Sequence, residues 1–353
     1  MRELMKIGLV IEFLPEDGKK LGGVTVAVHR LANGLVDAGH EVVVVAINDK
    51  PKDARYQLHK PFHNRLWQRL LSNQLGLQLY SFMLNFCRFP EADVWHFHGY
   101  DHFVFKRLGP RLRTFHGSSY REMQVSESFA RKLLMFCNYL WENVSIARSN
   151  RVLCIGSETA SFFRLKHVVD NPFDPKIFRP GIKSKHPRIF FNGYWSGRKR
   201  GSFLYHLFLD KILPVLPDAE LVMLCNDVPA HPSVTVLKGI TDQQLAEAYA
   251  SAWLFCYPSI YEGFGMAYME AMASGTAILS SSNTGADDVL DHGKYGLISD
   301  DKNFSENLLR LLNNPKERKD YEQLGLLRCA NYQVDQVVKQ HLQHYREVAK
   351  LEN

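Results

Sequence analysis

Residues 257–275 read Tyr-Pro-Ser-Ile-Tyr-Glu-Gly-Phe-Gly-Met-Ala-Tyr-Met-Glu-Ala-Met-Ala-Ser-Gly and place two carboxylates, Glu262 and Glu270, eight positions apart. The apolar run 253–257 before them reads as a buried strand, and Met266 to Ser274 reads as a helix closed by Gly275. Glu262 therefore falls in a strand-to-helix loop and Glu270 within the helix. Gly263 and Gly265 flank Phe264 and let the backbone approach a ligand closely. The following helix directs its first amides at that ligand, an arrangement that suits phosphate. Glu262 is placed to accept hydrogen bonds from sugar hydroxyls, and Glu270 to hold a ribose diol. The plainer reading of the same residues is a capped helix with a solvated glutamate.

A second constellation is Asn192-Gly193-Tyr194-Trp195-Ser196-Gly197-Arg198-Lys199-Arg200-Gly201, after an expected strand over 188–191 and before a helix from about Ser202. Three consecutive cations in a glycine loop suit a diphosphate, and the arginine fork binds phosphate oxygens in pairs. A basic turn in water is the plainer alternative. In the first half, Gly22-Gly23 precede a helix, while His98 and His116 close two expected strands, 94–98 and 112–116. Open α/β sheets bind ligands at those carboxyl ends.

The elements that must hold these residues are legible from periodicity. Lys6 to Ile11 is a short β-branched run. Val24, Val28, Leu31, Leu35 and Ala38 then recur at three and four, and Gly39 stops that helix. The unbroken run Val42–Val45 reads as a strand buried on both faces. Strand, glycine loop, helix and strand make a βαβ unit, hence a parallel sheet with helices on both sides. Phe62 to Phe86 reads as one or two helices, and 152–155 as another strand. Punctuation residues concentrate at Asp170-Asn-Pro-Phe-Asp-Pro175, Pro180, Gly181 and Pro187, after which the alternation restarts. The expected organisation is a first domain over 1–171, a hinge over 172–187, a second domain over 188–333 and a terminal helix over 334–353.

Composition bounds the function classes. The chain has 353 residues, 46% hydrophobic and 23% charged, which is globular composition and excludes a mostly disordered protein. No apolar run approaches the roughly 18 residues of a spanning helix. The run at 7–11 is too short for a signal peptide, so the expected location is the cytoplasm. Six cysteines show no CxxC pair, which suits reduced structural thiols. The net charge of +6 is uneven: 23 Lys+Arg against 16 Asp+Glu before residue 172, and 20 against 21 after it. The basic first half points to an anionic acceptor or an anionic membrane surface. Phe62 to Leu71 interleaves basic and aromatic residues, and Arg107, Arg111 and Arg113 add charge. No motif supports nucleic acid as a partner.

Taken together, Glu262-x7-Glu270 after Tyr-Pro-Ser resembles the donor-site signature of retaining GT-B glycosyltransferases of family four. Other segments agree in order: Gly22-Gly23, Asp93-Val-Trp-His-Phe-His98, His116, Asn171-Pro-Phe-Asp174, and Asn283-Thr-Gly285-Ala-Asp287. The resemblance implies two Rossmann-like domains with parallel sheets facing a cleft, and a C-terminal helix crossing back to the first domain. It implies a nucleoside diphosphate sugar as co-substrate, a UDP-sugar favoured over a GDP-mannose-type donor, with no further cofactor and no metal. Glu262, Arg200 and His116 take catalytic places in that pattern. Gly22, Gly23, Arg198, Lys199, Gly263, Phe264, Gly265 and Glu270 take donor-binding places beside Glu262, and His98 lies on the acceptor side. The acceptor class is a glycan or a lipid-linked glycan of polysaccharide assembly, at the inner face of the membrane. One departure stands out: Tyr194 occupies the position where the family pattern has an arginine, and aligning Arg200-Gly201 with the usual Lys-Gly leaves Arg198 or Lys199 to replace its charge. A non-catalytic sugar-nucleotide-binding partner is the alternative that this departure keeps open.

Overall fold

A computed structural model describes residues 4–16, 22–62, 74–126 and 128–350. The chain divides into two compact units. One comprises 1–120, 133–172 and 334–353, and the other comprises 121–132 and 173–333.

The first unit is built on a seven-stranded sheet of β1 (Lys6–Val10), β2 (Glu41–Val45), β3 (Gln57–His59), β4 (Val94–Phe97), β5 (Arg111–Phe115), β6 (Arg151–Cys154) and β7 (His167–Val168). The order is β3-β2-β1-β4-β5-β6-β7, and every pairing is parallel. The valine run of β2 fits this setting because branched side chains suit a sheet covered on both faces. Strand order reverses at β1, which has β2 on one side and β4 on the other. Loops leaving β1 and β4 therefore diverge and open a crevice at their carboxyl ends. His98 lies one residue beyond β4 and His116 one residue beyond β5.

The terminal helix Val334–Lys350 returns to this first unit, as the resemblance implies. Val337, Val338, Leu342, Tyr345 and Val348 are buried along one face at helical spacing. The Tyr345 hydroxyl reaches His96 Nδ1 at 2.7 Å, and Gln340 Nε2 donates to Asp170 Oδ2 at 2.8 Å. Polar anchors of this kind select one docking position for an apolar face that could otherwise slide.

The second unit carries a six-stranded parallel sheet of β8 (Arg188–Asn192), β9 (Glu220–Leu224), β10 (Val234–Leu237), β11 (Leu254–Tyr257), β12 (Ala277–Ser281) and β13 (Leu297–Ser299). Its order, β10-β9-β8-β11-β12-β13, reverses at β8 in the same way. The crevice thus lies between the loops after β8 and β11, the two segments in which the sequence places its cations and its glutamates.

Several details differ from the sequence reading. Of the expected 62–86 helical stretch, Phe62 is a core residue packed with Tyr80 and Trp95. Residues 63–73 of that stretch lie outside the described residues, and a helix spans Gln74–Met83. Short edge strands β3, β7 and β13 escape a pattern search because two or three residues hold no period. Residues 121–132 group with the second unit although they precede the Pro-rich stretch.

Candidate functional site

In the second unit a single turn of 3-10 helix, Gly197–Lys199, follows β8, and the loop carrying Glu262 follows β11. The Ile260 amide donates to the Arg198 carbonyl at 2.9 Å and ties the two loops together. Glu262 Oε1 accepts from Lys199 Nζ at 2.6 Å, Arg198 Nη1 at 2.8 Å and Ser259 Oγ at 2.5 Å. Arg198 Nη1 also donates to the Tyr261 carbonyl at 2.6 Å. Lys199 Nζ contacts the Tyr257 hydroxyl and lies 4.4 Å from that ring's centroid. Glu262 is 5% exposed and Lys199 is 9% exposed, so the ion pair is largely out of water. Burial by itself pushes the Glu262 carboxyl up. Lys199 and Arg198 outweigh it and hold the group below the usual carboxylate range.

A polar scaffold fixes this loop from beneath. Asn283 Nδ2 donates to the Ser259 carbonyl at 2.9 Å and to the Tyr268 hydroxyl at 3.0 Å, and Tyr268 meets Ser280 Oγ at 2.7 Å. The Asn283 side chain also caps the helix Thr284–Leu290 by accepting from the Ala286 amide at 2.9 Å. Gly285 is required there: a β-carbon would lie 2.7 Å from Glu262 Cβ and 2.8 Å from the Glu262 carbonyl oxygen. The start of this helix is thereby packed directly against Glu262.

Gly265 has φ of 94° and begins the helix Met266–Ala273, the conformation a glycine adopts without strain. On that helix Glu270 is buried, and its Oε2 accepts from the Tyr249 hydroxyl at 3.3 Å. Asn192 Nδ2, at the end of β8, donates to the same hydroxyl at 3.2 Å. Tyr249 therefore connects the second carboxylate to the strand from which the cation loop departs. Phe264 is buried, with its ring 5.8 Å from that of Tyr332, and it anchors the loop in the core.

Arg200 is placed differently from the sequence expectation. Its backbone is left-handed, with φ of 56°, and it forms a two-pronged pair with Asp301 at 2.8 and 2.9 Å. Its guanidinium also lies 4.1 Å from the Phe203 ring centroid. The left-handed residue turns Arg200 out of line with its neighbours, so Arg198 and Lys199 converge on Glu262. The charge that Tyr194 lacks is thus present in the loop, supplied from two positions further along.

In the first unit Gly22 precedes the helix Gly23–Asp37, and its carbonyl accepts from the Thr25 amide at 3.2 Å and hydroxyl at 2.8 Å. His98 Nδ1 and His116 Nε2 are 3.1 Å apart. Both rings line a small cavity with Thr114, Asp170, Asn171 and His341. His98 Nε2 and His116 Nδ1 are buried without a hydrogen-bond partner. Burial, with Arg113 and His341 nearby, pushes His116 down to about 3, and burial with its histidine neighbours lowers His98 strongly. Both imidazoles are neutral at pH 7. A neutral imidazole can accept a hydrogen bond at its unprotonated nitrogen, which a charged one cannot.

Residues to which the sequence reading gave no site role support both sites. Ser259 and Asn283 hold Glu262, and both stand in polar motifs, Tyr-Pro-Ser and Asn-Thr-Gly, that mark strand ends. Glu12, two residues past β1, accepts from the Tyr100 amide; burial raises its carboxyl, only partly offset by that amide. Arg111 and Arg113 correct an expectation outright. They are buried on β5, with Arg111 Nη2 2.6 Å from Asp101 Oδ2 and Arg113 Nε 3.6 Å from Asp101 Oδ1. They are therefore not part of a basic surface.

Comparison with known proteins agrees with this geometry. Residues 21–175 match the family model "Glycosyltransferase Family 4", and residues 219–326 match "Glycosyl transferases group 1". Phosphatidyl-myo-inositol mannosyltransferase of Mycolicibacterium smegmatis is 24% identical, with 98% of this chain and 94% of that protein covered. Alpha-maltose-1-phosphate synthase of the same organism is 26% identical over 52% of this chain, and that match spans 57% of the relative's length. Sucrose-phosphate synthase of Thermosynechococcus elongatus superposes with a TM-score of 0.73 at 18% identity, covering 98% of this chain and 100% of that one, a likeness of fold. With both halves matched in order and the two parallel-sheet units of a GT-B fold, the chain belongs to the family-four glycosyltransferases.

Proposed function

We propose that the protein transfers a glycosyl group from a nucleoside diphosphate sugar to a hydroxyl of a glycan or lipid-linked acceptor, with retention of anomeric configuration. The observation that carries this reading is the convergence of Lys199 and Arg198 on Glu262 at the reversal point of the second sheet. As the glycosidic C–O bond breaks, negative charge grows on the diphosphate and positive charge on the sugar ring. Cations already held in place stabilise that charge more in the transition state than in the ground state. Glu262 takes sugar hydroxyls and Glu270 the ribose, while the leaving phosphate assists attack on the same face, so no protein nucleophile is needed. In this reading Arg198 and Lys199 answer the charge of the diphosphate, no metal takes part, and turnover persists in chelator. The first unit takes the acceptor, with His98 and His116 neutral at its strand ends. The acceptor is made at the inner face of an anionic membrane.

A UDP-sugar is the first donor to test. GDP-mannose is the second, favoured by the name of another relative, a GDP-mannose-dependent alpha-mannosyltransferase of Mycolicibacterium smegmatis that is 26% identical over 85% of this chain. The experiment is donor hydrolysis and transfer across a panel of UDP- and GDP-sugars, with the product anomer read by NMR. Turnover of one donor to an axial or equatorial product matching its own anomer is the expected result. Nucleotide binding with no turnover of any donor would assign the protein to the non-catalytic binding partners instead, and an inverted product would remove the same-face mechanism.

A further inference from the structure

Asn192 follows the apolar residues Ile189, Phe190 and Phe191 at the carboxyl end of β8, the strand at which the order of the second sheet reverses. Its Nδ2 donates to the Tyr249 hydroxyl at 3.2 Å, while its Oδ1 is buried without a hydrogen-bond partner. Buried polar atoms of folded proteins are nearly always paired, so an orphaned amide oxygen at a ligand-binding edge points to a donor from outside the chain.

The orientation of that amide follows from its neighbours, which are what distinguish its oxygen from its nitrogen. Glu270 Oε2 lies 3.3 Å from the Tyr249 hydroxyl, and a carboxylate accepts hydrogen bonds without donating them. The single hydroxyl hydrogen of Tyr249 is therefore directed at Glu270, and its oxygen is left to accept from an N–H of Asn192. This sets the amide nitrogen toward Tyr249 and the amide oxygen away from it. Tyr249 is itself held firmly. It is fully buried on the helix Asp242–Ser251, with its ring 4.8 Å from that of Phe190 and 5.1 Å from that of Phe255. Its carbonyl accepts from Thr276 Oγ1 at 2.7 Å.

The group that completes this corner must be a donor. A phosphate oxygen only accepts and is repelled by the amide oxygen, which leaves a hydroxyl or a base N–H. Asn192 and Glu270 both lie within hydrogen-bond distance of one hydroxyl oxygen, so the two acceptors are neighbours. A vicinal diol brings two O–H donors side by side, one for each. We propose that Asn192 is a further donor-binding residue of the second unit, its Oδ1 accepting from one ribose hydroxyl of the nucleotide while Glu270 accepts from the other. The inference rests on the proposed use of a nucleoside diphosphate sugar with its ribose at Glu270. It adds selection for ribonucleotides over deoxyribonucleotides to the recognition of the diphosphate.

The test is calorimetric titration of the full chain with UDP, GDP and the 2′-deoxy and 3′-deoxy forms of each, comparing wild type with Asn192→Leu and Asn192→Ala. The ribonucleotide that binds wild type loses about tenfold in affinity in both variants, the effect of one neutral hydrogen bond. With the deoxy form that lacks the hydroxyl meeting Asn192, wild type and variants bind alike; with the other deoxy form the loss persists. Leucine matches asparagine in size and alanine only shortens it, and melting temperatures verify that both variants are folded. Failure of the wild type to bind either ribonucleotide overturns the donor reading and this inference with it. Binding that both variants leave unchanged overturns this inference alone and assigns the orphaned oxygen to a trapped water. A loss of equal size with all three forms, or one that shrinks equally with both deoxy forms, shows that Asn192 acts only by positioning Tyr249 and Glu270, and overturns the contact. Undiminished binding of both deoxy forms by wild type overturns it without recourse to a variant.

Discussion

Lys199 Nζ lies 2.6 Å from Glu262 Oε1, and the same oxygen takes Arg198 and Ser259 as well. One buried carboxylate is thus the counter-ion of both cations that the proposed mechanism assigns to the diphosphate. In the proposed mechanism an arriving diphosphate competes with Glu262 for them, and whichever contact it displaces frees the carboxylate for sugar hydroxyls.

That competition gives Glu262→Gln a split phenotype. Transfer falls by about two to three orders of magnitude, the usual effect of losing a group that acts on transition-state charge. UDP, by contrast, binds at least as tightly as to wild type, because the cations have lost their internal partner. The variant also takes the carboxylate from the buried Lys199 and the half-buried Arg198, a defect of up to about 3–5 kcal/mol when a buried pair is broken. Its melting temperature drops, and added UDP recovers more of it than in wild type. Calorimetric titration and thermal melts read both quantities. A parallel loss of UDP affinity and turnover would show that Glu262 contacts the nucleotide directly and does not compete with it.

The three consecutive cations are separable. Lys199→Ala removes the buried partner of Glu262 and lowers transfer by at least about a hundredfold. Arg200→Ala removes the pair with Asp301, whose side chain is 56% exposed, and the contact with the Phe203 ring, and costs less than about tenfold. Steady-state kinetics of the two variants decide between Lys199 and Arg200, and the order expected from sequence alignment is the reverse.

Gly285→Ala tests the packing of the following helix on Glu262. A methyl group 2.7 Å from Glu262 Cβ forces the loop or the helix to shift. Overpacking of this kind costs about 1–3 kcal/mol. Transfer falls further than stability explains, since the shift moves a residue of the site. Melting temperature and turnover measured on the same preparation separate the two, and an unchanged kcat would mean that the helix yields while Glu262 stays in place.

Much of this arrangement is visible in the sequence, and the parts that are not share a cause. Val42–Val45, Gly39 and the 257–275 loop announce themselves because strand burial, helix termination and close backbone approach each select residue types locally. Which of Arg198, Lys199 and Arg200 meets Glu262 is set by the left-handed backbone at Arg200, a torsion that a residue with a β-carbon does not advertise. Arg111 and Arg113 read as surface charges because their burial depends on Asp101, in a loop preceding their strand, and on Ser145, which donates to Asp101 Oδ1 at 2.6 Å from a helix that follows it. Compensation from several elements has no signature in a local window.

Stability should fall as pH drops below about 6.5, the ordinary histidine value. His116 and His341 are lowered to about 3 and about 4 by burial, with nearby cations and imidazoles adding to the effect on His116 and His344 to that on His341. His96 and His98 are lowered well below the usual range, again by burial first. Between pH 6.5 and 4 the unfolded chain takes up protons at these positions and the folded chain does not. Stability therefore declines with acidification by up to about 1.4 kcal/mol per pH unit for each imidazole. Glu12 and Glu322, raised by burial, act in the opposite sense above pH 4.5, but they are outnumbered by the lowered imidazoles, which include His102, His167 and His344 as well. Melts across this range in wild type and His341→Gln check the sign, the variant giving the shallower slope. A wild-type melting temperature flat from pH 7 to 5 would mean that these rings gain water or protons in the folded state.

Asp101 and its arginines provide the sharpest contrast with an exposed charge in the same segment. Asp101 is buried, and Arg113 and Arg111 outweigh the effect of burial to hold its carboxyl below the usual range. Arg111 also donates from Nη1 to the Val104 carbonyl at 2.9 Å and from Nη2 to the Asp101 carbonyl at 2.8 Å, closing the loop between β4 and β5. Arg111→Ala removes all of these and leaves the buried carboxylate with Arg113 as its one nearby cation and Ser145 as its donor, at a cost of about 3–5 kcal/mol. Arg107→Ala, at an exposed position, stays within about 0.5 kcal/mol of wild type. Denaturant titrations of the two variants measure the difference. If Arg111→Ala were as stable as Arg107→Ala, water would have to reach Asp101, and the polar path from β5 to the helix Phe129–Arg148 would be open to solvent.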